Sequence, residues 1–223
     1  MKRNSQGDLP DTIQKLRLSW LDLLDSSLAE TKFEAKIFTF LIDGYTASHR
    51  SYHNLNHVYD ILNSIERVKS IAENVDILRF AAWFHDCIYD PQSLDNEAKS
   101  AVEAERALEA LNIDREIIKK IEQIILSTKN HQPSIASIDN LLFLDLDLAI
   151  LGTKPNLYRE YAKAIRQEYN HVSDRDYQTG RKKVLIQFLN REKIYYTDHF
   201  YQLLETAARK NLQEEINYLD RID

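Results

Sequence analysis

A single cysteine, Cys87, stands among 223 residues, so no disulfide can close within this chain. That fits the cytoplasm, where disulfides are rare. Four glycines and four prolines fall well under the usual share of about 12% for the two together. A chain so poor in turn formers cannot readily make the many tight turns of a β-sandwich or barrel, which favours long helices. No long apolar run is present: the most apolar stretch, 141–151, is split by Asp145 and Asp147 and is too short to span a bilayer. Nor is there an excess of positive charge. With Lys plus Arg 29 against Asp plus Glu 35 the net charge is −6, which argues against coating an extended nucleic acid. A local basic pocket for one phosphate is still allowed. Residues 1–8 carry charge with no apolar stretch behind them, so no signal peptide is expected. A hydrophobic share of 43% with 29% charged residues excludes a disordered chain.

What the sequence does have is helical spacing. No repeat or Ser/Gly/Pro-rich linker divides it, so the reading is one domain over 1–223, long enough to hide roughly 70% of its unfolded surface. In 54–72 the apolar positions Leu55, Val58, Ile61, Leu62, Ile65, Val68 and Ala72 step by three and four. Ile113, Ile117, Ile118, Ile121, Ile124 and Ile125 do the same, with no period-two alternation to suggest a strand. Ser93 or Asp95 can cap the following helix, with Glu97 in its first turn. Further runs cover 12–28, 33–45, 76–89, 157–169, 174–190 and 198–219, and Pro155 suits a helix's first turn. The expectation is an all-α domain of about nine or ten helices.

Three segments carry residues able to do chemistry. In Tyr52-His53-Asn54-Leu55-Asn56-His57, a helix starting near His53 would project His53 and His57 from one face. Two imidazoles so placed can share a metal, or one can bind metal while the other handles a proton; two half-exposed histidines near a helix start look the same. In Ala81-Ala82-Trp83-Phe84-His85-Asp86-Cys87, a His and an Asp sit inside an otherwise apolar helix. Burying them without partners is costly, and either a divalent cation or an arginine such as Arg79 would serve. In 141–151, Asp145 and Asp147 point about 200° apart on a helix, so one should face something positive inside. The other is left to the surface or to capping a neighbouring element. Packed together, His57, His85, Asp86 and Asp147 would make a two-His, two-carboxylate site suited to Mn, Fe, Co, Ni or Zn. Cys87 reads as a buried structural thiol.

His57, then His85-Asp86, then Asp147 resembles the H…HD…D signature of the HD-domain superfamily of metal-dependent phosphohydrolases. The run Trp83–Asp90, with Asn96-Glu97, Ser100-Ala101, Tyr158, Tyr161, Ile165-Arg166, Glu168-Tyr169, Arg181 and Ala208-Arg209-Lys210-Asn211-Leu212, closely resembles a family of small bacterial HD phosphohydrolases. Residues 52–57 are also similar to the start of the cyclic-nucleotide phosphodiesterase catalytic domain. The resemblance implies a helical bundle with a metal-site core over 50–152, and N-terminal helices 11–46 and C-terminal helices 155–220 packed on it. It implies His57, His85, Asp86 and Asp147 as ligands to a divalent transition metal, with Mg admitted. Asp147 fits the last motif better than Asp145 because a small residue follows Asp147-Leu148. His53 would be the general acid.

The implied activity is hydrolysis of a small phosphorylated compound, a nucleotide being one such, by water that the metal acidifies. His131 could be a second proton donor or a ligand to a second metal, and Glu97 could orient a ligand or serve its helix start. Arg166 and Arg181 could bind substrate phosphate or form salt bridges. Two other readings stay open: an HD-type di-iron oxygenase, for which only His131 lies between the HD pair and the last Asp, and a non-catalytic ligand-binding module. A homodimer is compatible with the sequence; a membrane partner is not expected.

Overall fold

The computed structural model describes residues 9–24 and 32–221. The N-terminal reading over 1–8 and the 25–28 end of the first helical run lie outside the described residues. The protein is all-α: ten α-helices and one 3-10 turn, with no strand among the described residues. None of these helices is long and apolar enough to cross a membrane. Two compact units divide between Asn140 and Leu141.

The first unit holds α1 (Leu9–Leu23), α2 (Lys32–Tyr45), α3 (Leu55–Val68), α4 (Val75–Phe84), α5 (Asn96–Ala110), α6 (Arg115–Thr128) and the first turn of α7 (Ile138–Asp147). Polar caps set several starts. Asn54 accepts from the Asn56 amide at 2.9 Å, and Asn74 from Asp76 and Ile77 at 3.0 and 3.2 Å. Asp95 is the N-cap of α5, yet its carboxylate caps nothing; it takes Ser93 and, at 2.8 Å, Lys99 instead. The core centres on Trp20, which meets Trp83 edge-to-face at 5.4 Å and Phe80 and Phe84 at 6.3 Å. Glu34, fully buried, ties α1 to α2 by accepting from Trp20 Nε1 at 2.6 Å and from Arg17 Nη2 at 2.8 Å.

The second unit holds the rest of α7, the 3-10 turn Leu148–Gly152, α8 (Pro155–Glu168), α9 (Asp174–Leu189) and α10 (Asp198–Leu219). The 3-10 turn packs tightly on α10: a Cβ on Gly152 would lie 2.5 Å from the Leu204 Cβ, so only glycine fits. Asn211 of α10 donates to the Leu151 and Thr153 carbonyls, both at 2.8 Å. Arg209 donates to the Leu189 and Arg191 carbonyls and stops α9.

Candidate metal centre

Two helix ends of the first unit bring the HD pair to the first histidines. The sequence places His53 on a helix with His57, and His85 and Asp86 inside another; both expectations need correcting. α3 begins only at Leu55 with Asn54 as cap, so His53 lies outside it. Its ring still approaches that of His57 edge-on at 5.8 Å and lies 4.5 Å from Tyr89. α4 ends at Phe84, with His85 as its C-cap. The reason is lateral competition for the backbone groups that would have continued the helix. Asp86 N–H donates to the Tyr45 hydroxyl at 3.3 Å and Ile88 N–H to Ser100 Oγ at 3.1 Å. The Asp86 and Cys87 carbonyls accept from Arg50 at 2.7 and 3.1 Å.

Arg50 is therefore a residue the sequence reading missed. It lies buried over the rings of Tyr45 and Tyr89, and also donates to the His53 carbonyl at 3.0 Å, so one guanidinium links the His53 turn to the HD turn. The available signal was negative: no acid occurs within six residues of it on either side, so it has no local ion pair. Arg79, the partner weighed for the HD pair, instead meets Glu66, Asp22 and Asp76. Beyond the HD turn, Asn96 holds Asp90 by both its amide and its carbonyl at 3.1 and 2.8 Å. Gly44 sits where a Cβ would be 3.0 Å from the Cys87 carbonyl, letting α2 close on the turn. Burial pushes the Cys87 thiol up to about 12, which suits a structural thiol rather than a nucleophile.

The chemistry follows from His85, 1% exposed. Its Nδ1 lies 3.1 Å from the Ala82 carbonyl, which can only accept, so a neutral ring carries its proton there and turns a lone pair outward at Nε2. That Nε2 lies 3.2 Å from His57 Nε2 and 3.2 Å from Asp86 Oδ2. Two ligand atoms about 2.1 Å from a common ion, at angles between octahedral and tetrahedral, stand roughly 3.0–3.4 Å apart. Each spacing suits two ligands on one cation, though Asp86 is not in the His/Asp group that could hold an ion, and the Nδ1 bond to a carbonyl is the usual way a protein orients a ligating imidazole. His57 and His85, both buried in the first unit, belong to a His/Asp group that could hold a metal ion.

The remaining sequence candidates are spoken for in different ways. Asp145, the alternative last ligand, is fully buried and accepts from the Tyr196 and Thr197 amides at 2.7 and 2.8 Å and from Thr197 Oγ1 at 2.6 Å. It braces the residue that caps α10, the second fate the spacing allowed for one of the pair. Burial outweighs those donors and pushes its carboxyl up to about 6. His131 follows α6 in the left-handed conformation, φ 47°, and is not in the metal group. Glu97 sits half-buried in the first turn of α5. Arg166 binds Asp174 at 2.6 Å and the Tyr169 and Val172 carbonyls, while Arg181 is buried against Glu215 at 2.8 Å, so both arginines form salt bridges. No family model, curated protein or solved structure matches the chain.

Proposed function

We propose that the protein is a metal-dependent phosphohydrolase acting on a small phosphorylated compound, with His57, His85, Asp86 and Asp147 holding a divalent transition metal. The observation that supports this reading most is the crowding at His85 Nε2. A lone pair there faces a second imidazole nitrogen and a carboxylate oxygen, each at 3.2 Å; lone pair and carboxylate repel unless a cation or a proton lies between them, and a divalent cation there would be within reach of both imidazoles. A bound divalent cation would acidify a water and offset negative charge on a phosphoryl oxygen. His53, beside His57 and outside the ligand set, is the group to protonate the leaving oxygen. Tyr89, packed on the His53 ring, limits how that imidazole turns. Arg50 fixes the two turns that carry His53 and the HD pair, without itself reaching the ligand atoms.

The test is release of phosphate or a phosphomonoester from a broad panel of phosphoesters, with Mn, Co, Ni, Fe, Zn and Mg supplied in turn. Metal-dependent turnover is expected, abolished by His85→Ala and lowered about 10²–10⁴-fold by His53→Gln, the usual size of a general acid's contribution. Absence of turnover on every compound, in protein shown by metal analysis to be loaded, would overturn the reading.

A further inference from the structure

The second unit carries a cavity that the metal chemistry does not use. Helices α8, α9 and α10 enclose a space of about 680 Å³, within the range of small-molecule sites. None of its lining residues belongs to the metal group. Its walls are aromatic, with Tyr158, Tyr177 and Tyr218 contributed one from each helix.

The charges around it are unevenly spent. Of its acids, Asp174 is met by Arg166 at 2.6 Å and Glu215 by Arg181 at 2.8 Å, while Lys210 stands 3.9 Å from Glu214. Tyr158 also donates to Glu215. Arg159 and Lys163, exposed and one turn apart on α8, pair with no acid among the described residues. The lining's three cations and three acids balance, but with Arg181 and Lys210, from outside the lining, engaging Glu215 and Glu214, Arg159 and Lys163 are left for a ligand. In its interior Gln178 is buried, and the buried Tyr177 hydroxyl has no hydrogen-bond partner. Leaving such a group unmet costs about 1–3 kcal/mol.

We propose that this three-helix cavity is a second binding site, taking a flat aromatic ring that bears an anionic group, of the nucleoside-monophosphate class. The ring lies among the tyrosines, where stacking tolerates any base. The anion is met by Arg159 and Lys163 at the mouth. The ring's polar edge meets the Gln178 carboxamide.

Calorimetric titration of the full chain with AMP tests this, using adenosine and inorganic phosphate as fragments, in Mn-loaded and in chelator-treated protein. One AMP per chain is expected in the chelator-treated protein, and no less in the Mn-loaded one, with each fragment binding the chelated protein at least about tenfold more weakly. Reversing the two exposed cations together, Arg159→Glu with Lys163→Glu, should weaken AMP about tenfold or more, and Tyr218→Ala should weaken AMP but not phosphate. Absence of AMP binding overturns the proposal. So does binding that needs metal, or that the double reversal leaves unchanged, since either result sends the ligand to another site. Failure of phosphoester turnover would not bear on it, because the chelated protein is expected to bind.

Discussion

Arg50 concentrates more of the candidate site's geometry than any ligand does. Its fork reaches three carbonyl oxygens, of His53, Asp86 and Cys87, from a buried position between two tyrosine rings. A lysine keeps the charge but offers a point donor on a flexible stem, which cannot span those acceptors together. Arg50→Lys should therefore cost about 2–3 kcal/mol of stability, read from urea unfolding. The larger effect is expected on metal affinity, because the HD turn loses its lateral support while every ligand remains in the chain. A metal titration that is unchanged in folded Arg50→Lys protein would remove the positioning role. Cys87 makes a complementary case at the same scale. At 2% exposure its thiol should not react with Ellman's reagent in the native protein and should react fully in denaturant. Labelling of the native state would show that the turn opens.

Among the elements, the start of α10 depends on a side chain far away in sequence. Asp145, near the end of α7, collects three donors from Tyr196 and Thr197, and Thr197 in turn caps α10 by accepting from the Phe200 amide. Asn at 145 would present an N–H to one of those amides, so Asp145→Asn should destabilise the protein by about 1–3 kcal/mol. The pH dependence gives the sharper test. Burial raises the folded carboxyl to about 6, against an unfolded value near 3.9, so the folded state holds this proton more tightly. Stability from this group is then fully present below the unfolded value and declines as pH rises through about 6. Wild type should gain on acidification from pH 7.5 to 4.5 by about 2 kcal/mol relative to Asp145→Asn. The deficit of the variant, measured by urea unfolding, should be larger at pH 4.5 than at pH 7.5. Equal deficits at both pH values would mean that the carboxyl is ionised throughout.

For the whole molecule, the all-α class and most helices were legible because little glycine or proline interrupts the three-four spacing of apolar residues. Helix ends were less legible, since they depend on partners remote in sequence: 76–89 reads as one helix, but Tyr45, Arg50 and Ser100 take its backbone groups after Phe84. The HD pair could be found from its own residue types in apolar surroundings, whereas Arg50 has no local pattern at all. Likewise the apolar spacing of 141–151 does not show which aspartate braces a helix start; only the family resemblance set Asp147 apart, and the role of Asp145 lies in the amides of Tyr196 and Thr197. One measurement on the intact chain addresses the proposed centre without knowing any substrate. An ion held by the folded chain and not by the unfolded one adds RT ln(1 + [M]/Kd) to stability, about 2.7 kcal/mol at a hundredfold excess over Kd. In a chain of this size that corresponds to a rise in Tm of roughly 5–10 °C. Mn, Co, Ni or Zn should produce it in wild type after chelation and dialysis. His57→Ala and His85→Ala should lose the shift, and Asp145→Asn should keep it, since that carboxylate is engaged by α10. The rise should also shrink on acidification, because imidazoles must be neutral to ligate. A Tm indifferent to every divalent ion, or one raised equally in His85→Ala, would leave the crowded nitrogens at 57 and 85 to be explained by protonation alone.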